Sequence, residues 1–179
     1  MTAPVRIRVA SLHDAEAITA IYAHHVRHGT ATFEIDPPDA GEMRSRMQGV
    51  AAGGHPWLVA ERQRQVVGYA YASPYRLRPA YRFTVEDSIY IAPEATRQRI
   101  GARLLEALVE SAVACGYRQM IAVIGDTANA ASIGVHRAAG FVELGVLRDV
   151  GRKFDRWIDV VLMQRALGEG ARTPPAVPA

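Results

Sequence analysis

Two carboxylates stand side by side in the otherwise apolar run TVEDSIYI, at Glu86 and Asp87. Successive side chains of a strand point to opposite faces, so Thr84, Glu86, Ser88 and Tyr90 share one face and Val85, Asp87, Ile89 and Ile91 the other. Carboxylates in such surroundings are paired or functional, because burying an unpaired charge is costly. A carboxylate held there is suited to taking a proton from a substrate. Further along, NAASIGVHRAAGF sets Asn129, Ser132 and His136 three and four residues apart, on one face of a helix. The imidazole is either bonded within the fold or part of a polar cleft; Asn129 and Ser132 on the same face favour the cleft.

Two more segments carry charge in a useful place. EATRQRIGARLL is a basic, glycine-containing helix start, where free backbone N–H groups and the helix dipole favour anions, phosphates above all. The plainer alternative is an ordinary basic first turn. YRLRPAYR has three arginines within seven residues, forks that match carboxylate, phosphinate or phosphate oxygens unless they merely coat a solvated loop. His24 and His28 are an i,i+4 pair, but with no third ligand or HExxH pattern in the sequence no metal site is expected.

The elements that must position these residues follow from periodicity. Val5, Ile7 and Val9 alternate as in a half-buried strand. Ser11 with Asp14 is a capping-box pair, opening a helix whose stripe is Leu12, Ala15, Ile18, Ile21, Tyr22 and Val26. TATFEIDPPD interrupts it with two prolines, and Asp39 caps a second helix through Met43 and Met47. Trp57–Ala60 and Val66–Tyr75 form a hairpin around ERQRQ, without the usual glycine, and Phe83–Ile91 is a third strand. The period then changes from two to 3.6 over Ile100–Val113. MIAVIG is wholly apolar, as in a strand covered on both faces. A helix over about 130–139 and two strands, 141–147 and 154–163, complete the order β-α-α-β-β-β-α-β-α-β-β. This is an α/β fold: one mixed, mainly antiparallel sheet with helices on both faces and at least one parallel pair.

Composition excludes several classes. With 179 residues, 49% hydrophobic and 22% charged, the chain is neither disordered nor in need of a staple, and one domain over 1–167 is expected with a Gly- and Pro-rich disordered tail at 168–179. The net charge of +3 is scattered, so no nucleic-acid surface is expected. Cys115 is the only cysteine, which excludes an intrachain disulfide, and it reads as a packing residue. No apolar run nears the roughly 18 residues of a membrane span, and the N-terminus lacks a signal-peptide pattern. A cytoplasmic protein is expected.

Taken together, the element order, the helix-start loop and N-x-x-S-x-x-x-H-x-x-x-G-F resemble the GNAT superfamily of acetyl-CoA-dependent N-acetyltransferases. TATFE, RPAYRFTVEDSIYI, GYRQMIAVIG, NAASIGVHRAAGF and GRKFDRWIDVVLMQ look like its phosphinothricin and methionine sulfoximine N-acetyltransferase family. The resemblance runs from about Val5 to Leu167. It departs from the usual Q/R-x-x-G-x-G/A loop, for Thr96 stands at the first position and Arg99 at the first glycine, while Gly101 is kept. The loop therefore works only if Arg99 adopts a backbone conformation that glycine would adopt freely.

The resemblance implies acetyl transfer from acetyl-CoA to the α-amino group of a small amino-acid analogue, without a metal. It implies Glu86 as base and His136 as proton donor to the departing thiolate. Acetyl-CoA would be held by Ile89, Tyr90, Ile91, Arg97, Gln98, Arg99, Ile100, Gly101, Ala102, Asn129 and Ser132. The amino acid would be bound by Phe33, Glu34, Arg76, Arg78, Tyr81, Lys153 and Trp157. A homodimer is also implied, with the apolar strand WIDVVLM as a candidate interface. Other readings are another amine or a protein N-terminus as acceptor, and a catalytically silent acyl-CoA sensor.

Overall fold

In the computed structural model, residues 3–175 are described. The strands are β1 (Arg6–Val9), β2 (Trp57–Arg62), β3 (Gln65–Pro74), β4 (Thr84–Ile91), β5 (Gln119–Gly125), β6 (Val142–Lys153) and β7 (Arg156–Ala166). The helices are α1 (Ala15–His28), α2 (Ala40–Ala52), α3 (Ile100–Ala114) and α4 (Ala130–Ala138), with short 3-10 turns at Leu12–Asp14, Pro79–Tyr81 and Pro93–Ala95. The order matches the periodicity reading, except that Leu12 lies in a 3-10 turn before α1 and is exposed.

Local chemistry explains the boundaries. The Ser11 N–H donates to Asp14 Oδ2 at 2.7 Å, and Arg8 grips the same carboxylate at 2.7 and 2.8 Å, which holds the Asp14 pKa down at about 2. Asp39 Oδ1 accepts the Glu42 N–H at 2.8 Å and starts α2. The β2–β3 hairpin turns through Gln63 and Arg64, at φ 50° and 65°. Both sit in the left-handed region that a two-residue hairpin turn demands, so the turn forms without glycine at some cost in strain.

The sheet order is β1-β2-β3-β4-β5-β7-β6, antiparallel except for the parallel β4–β5 pair, whose crossover is α3. On one face α1 packs Tyr22 edge-on against Tyr90, ring centroids 5.0 Å apart. On the other, α3 sinks Leu104, Leu105 and Leu108, all fully buried and each contributing roughly 1.5–3 kcal/mol. Two expectations change. WIDVVLM is no outer surface: β7 lies between β5 and β6, with Ile158, Val160, Val161 and Met163 buried. The edge strand on this side of the sheet is β6, which exposes Val142, Leu144, Leu147 and Val150. Cys115, at the end of α3, is exposed rather than packed.

Residues 168–175, assigned from composition to a disordered tail, make two turns and are met by the Arg118 guanidinium, which donates to the Pro174 carbonyl at 3.1 Å. Positions 176–179 lie outside the described residues. Among the described residues no helix is long and apolar enough to cross a membrane.

Candidate active site

The two central strands come apart. β4 and β5 pair over only four positions, from Thr84 with Gln119 to Asp87 with Ala122. Beyond them Ser88–Tyr90 and Val123–Gly125 wall an opening that Asn129, Ser132 and His136 close from the α4 side. Gly125 lets the α1–α2 loop lean on its end. A Cβ added there would lie 2.2 Å from the Thr30 carbonyl oxygen and 3.1 Å from the Phe33 ring.

Glu86 and Asp87 sit at the fork and look in opposite directions. Glu86 faces the α1–α2 side, opposite Ser73 of β3. It is half-buried; burial raises its carboxyl pKa, the Asp87 charge adds to this, and Arg76 opposes it. Asp87 faces α4 and is buried. Its Oδ2 accepts from His136 Nε2 at 2.9 Å, while its Oδ1 has no partner. The other ring nitrogen, Nδ1, donates to the Ser132 carbonyl at 2.8 Å. Burial lowers the His136 pKa, but Asp87 outweighs it and the net direction is upward. An isolated buried carboxylate is costly, so the pair favours an imidazolium.

Beside Glu86 lies a cavity of about 470 Å³ between α2 and the strands β2 and β3, lined by Tyr22, Arg46, Trp57, Tyr71 and Ser73 among others. Glu86, Glu34 and Arg46 all act on Tyr71, whose hydroxyl pKa is raised mainly by burial. This wall is therefore the same side of the sheet on which Glu86 opens.

On the far side the loop before α3 takes an unusual path. Arg97 and Arg99 have φ of 58° and 60°, with Gln98 between them in the ordinary negative range. Alternation of this kind turns successive N–H groups toward one point, an anion nest at a helix N-terminus. Arg99 thus adopts the glycine-like conformation that the loop requires, at ψ 14°. At Gly101 an added Cβ would meet only Ile91 carbons, the nearer at 3.8 Å, so the approach to the helix start is open.

The profile of the acetyltransferase (GNAT) domain family matches residues 7–162. The chain belongs to the GNAT acetyltransferases. A phosphinothricin N-acetyltransferase of Alcaligenes faecalis is 56% identical over 94% of this chain and 86% of its own length. An L-methionine sulfoximine/L-methionine sulfone acetyltransferase of Pseudomonas paraeruginosa is 38% identical, over 94% and 98%. The solved structure of a GNAT superfamily phosphinothricin acetyltransferase from Sinorhizobium meliloti, in complex with acetyl-CoA, superposes with a TM-score of 0.93 at 47% identity, covering 98% of this chain and 94% of that one.

Within this GNAT fold the residues implied for acetyl-CoA divide between the opening and the loop before α3, and not all have free side chains. Ile89, Tyr90, Asn129 and Ser132 line the opening. The Ile91 carbonyl accepts from His25 Nε2 at 2.9 Å. The Gln98 amide is held by Arg62 at 2.6 Å and by the Glu94 carbonyl, and the Ile100 side chain is in the core, so the loop from Arg97 to Ala102 offers backbone N–H groups together with the exposed side chains of Arg97 and Arg99. Asn129 Oδ1 accepts the Ser132 N–H at 3.2 Å and caps α4.

The residues implied for the amino acid divide. Phe33 covers the end of β5 next to Gly125 and Gly151, and Arg76 acts on the Glu86 charge while stacking on Tyr75, 4.9 Å from its ring centre. Glu34 is engaged by Tyr22 at 2.8 Å and by Arg46 at 2.6 Å. Lys153 has its ammonium engaged within the fold: it donates to the Gly29 and Thr32 carbonyls, both at 2.9 Å, and ties the α1–α2 loop to β6. Trp157, 61% exposed opposite Arg152 near the β6–β7 turn, lines neither opening. Arg78 and Tyr81 lie on an exposed turn, Tyr81 edge-on to Tyr75. Sequence reasoning missed Arg46, Trp57 and Tyr71, and it singled out Asp87 without finding its His136 partner. The signal for two of them was the aromatic period of two in β3, Tyr69 and Tyr71, with Trp57 opposite.

Proposed function

We propose that this chain moves the acetyl group of acetyl-CoA to the α-amino group of a small amino-acid analogue of the phosphinothricin or methionine sulfoximine class. The observation that carries the reading is the split between β4 and β5, with the proton-accepting Glu86 on one face and the helix-start nest on the other. The nest from Arg97 to Ala102 would hold the pyrophosphate. Ile89, Tyr90, Ile91, Asn129 and Ser132 would flank the extended arm. The names of the two curated relatives support the substrate class.

In this reading Glu86 takes a proton from the substrate ammonium, directly or through water, and frees the lone pair that attacks the thioester carbonyl. A carboxyl raised by burial is a stronger base than an ordinary one. His136, cationic beside Asp87, is the proton source for the departing thiolate. Arg76 is suited to the amino-acid carboxylate. A homodimer in the cytoplasm belongs to the same reading. The apolar residues that β6 exposes offer it a surface, and the free thiol of Cys115 suits a reducing compartment.

A panel of amine acceptors with acetyl-CoA, read as thiol release, tests the proposal. Methionine sulfoximine or phosphinothricin should be turned over and ordinary amino acids far more slowly. Turnover of a peptide N-terminus alone would replace the substrate class, and tight acyl-CoA binding without any turnover would make the chain a sensor.

A further inference from the structure

Neither ring nitrogen of His136 faces the opening free of a partner. Nε2 is spent on Asp87 at 2.9 Å and Nδ1 on the Ser132 carbonyl at 2.8 Å. The side chain is 5% exposed. A departing thiolate therefore finds both imidazole N–H groups engaged, and Nδ1–H can be drawn on only by a group that itself touches the ring. Within reach of the ring, however, is a hydroxyl: Ser132 Oγ lies 3.4 Å from Nδ1, on the same helical face, and Ser132 is a wall residue of the split. The chain of contacts runs carboxylate, imidazole, hydroxyl, opening.

We propose that Ser132 Oγ is the group that hands the proton to the departing thiolate, that His136 recharges it, and that Asp87 is the positioning residue for His136. The inference rests on the acetyl-transfer reading above. When the thioester C–S bond breaks, its electron pair stays on sulfur. Sulfur takes the hydroxyl proton of Ser132, and Oγ takes the Nδ1 proton of the imidazolium. The electron pair of that N–H bond stays on Nδ1, so imidazolium and thiolate end as neutral imidazole and thiol. Nε2 keeps its proton, donated to Asp87 Oδ2, throughout. The 3.4 Å gap is long for a hydrogen bond, as contacts of this kind commonly are before substrate tightens them.

The geometry also resets the relay. After the transfer the bare lone pair of Nδ1 faces the Ser132 carbonyl oxygen, two acceptors 2.8 Å apart. That arrangement is repulsive, and protonation of Nδ1 relieves it. Asp87 is the charged partner bonded to this ring, the Phe141 ring stands edge-on to it at 5.1 Å, and β5 contributes Ala122 and Ile124 to this wall, neither of them charged.

The test compares Ser132→Ala, Ser132→Thr and His136→Ala, with kcat and the acetyl-CoA KM measured separately. Ser132→Ala keeps the N–H that Asn129 caps and adds a good helix former, so the fold is retained and a melting temperature verifies it. The expected result is a kcat lower by roughly 10–100-fold, below the full range of acid catalysis because water partly stands in, with KM changed by less than about threefold. Threonine, which restores a hydroxyl, should recover most of that loss. A raised KM at unchanged kcat would make Ser132 a binding residue only and overturn the relay. A loss of kcat in His136→Ala with none in Ser132→Ala would also overturn it, leaving His136 as the direct donor. No loss in either variant would remove the acid role of His136 on which the relay stands.

Discussion

Glu86→Gln preserves shape and removes basicity at the fork of the sheet. Glu86 is half-buried, and its neighbours fix what the change can do. Asp87 points to the opposite face and is bonded to His136, so it cannot take over the proton on the amine side. Water reaching a half-buried site can act as a weak substitute. The expected loss in kcat is therefore about 10²–10⁴-fold at pH 7, the range of general base catalysis, with little change in the acetyl-CoA KM. The pH dependence follows from the substrate. An α-amino group with a pKa near 8 is only about one-tenth free at pH 7 and almost wholly free at pH 9. The deficit of the variant should shrink by about tenfold across that interval, because the base is no longer needed to strip the ammonium. The assay is initial-rate thiol release at saturating acetyl-CoA from pH 6.5 to 9.5 for both proteins. A deficit that stays constant with pH and appears in the amino-acid KM would make Glu86 a binding group, and unimpaired turnover at pH 7 would hand the proton to solvent.

Three further outcomes are expected. Lys153→Met should strand the Gly29 and Thr32 carbonyls and, at about 2–4 kcal/mol for two charge-assisted bonds, lower the melting temperature by roughly 5–15 °C, as calorimetry would show; a change in amino-acid KM without loss of stability would make it a substrate ligand. Gly101→Val has room against Ile91 but crowds the approach to the helix start, so the acetyl-CoA KM should rise while the melting temperature holds; an unchanged KM removes that loop from the site. Because the His136 pKa is raised in the fold, the stability it contributes is present below its unfolded value near 6.5 and fades as pH climbs through the higher folded value. Chemical denaturation between pH 5.5 and 8.5 should show that slope, and Asp87→Asn should flatten it; an equal slope in both proteins would mean another group is titrating.

Much of the fold was legible because periodicity reports which face is covered. The change from alternation in TVEDSIYI to a 3.6 repeat after Ile100 located the parallel pair and its crossover helix. WIDVVLM misled because an apolar strand reads alike whether it is covered by a neighbouring subunit or by its own helices and strands. The opposed faces of Glu86 and Asp87 were also legible, since neighbours in a strand must diverge. The Asp87–His136 pair was not: 49 residues separate its partners, and no local pattern encodes a contact made by a helix docking on a sheet. The two carbonyls that engage Lys153 were hidden for the same reason. The family resemblance placed this lysine at the amino-acid pocket, and only the fold brings two carbonyls of a distant loop against its ammonium. Arg99 was legible only as a condition, because a side chain says little about whether its backbone tolerates a positive φ.

The sheet's short parallel seam has an energetic consequence of its own. Past Asp87 and Ala122, alternate backbone amides of β4 and β5 lose the neighbour that a continuous ladder would provide, and solvent must satisfy them in the free protein. The fold has in effect left two half-strands of hydrogen-bonding valence open toward one another. A guest that is itself a chain of amides completes the ladder, whereas a hydrocarbon arm of equal length would strip the water and return nothing. Recognition of such a guest would be a backbone property, shared among the few donors and acceptors past the seam. It should tolerate exchange of the wall side chains far better than any substitution that lets the two strands zip shut.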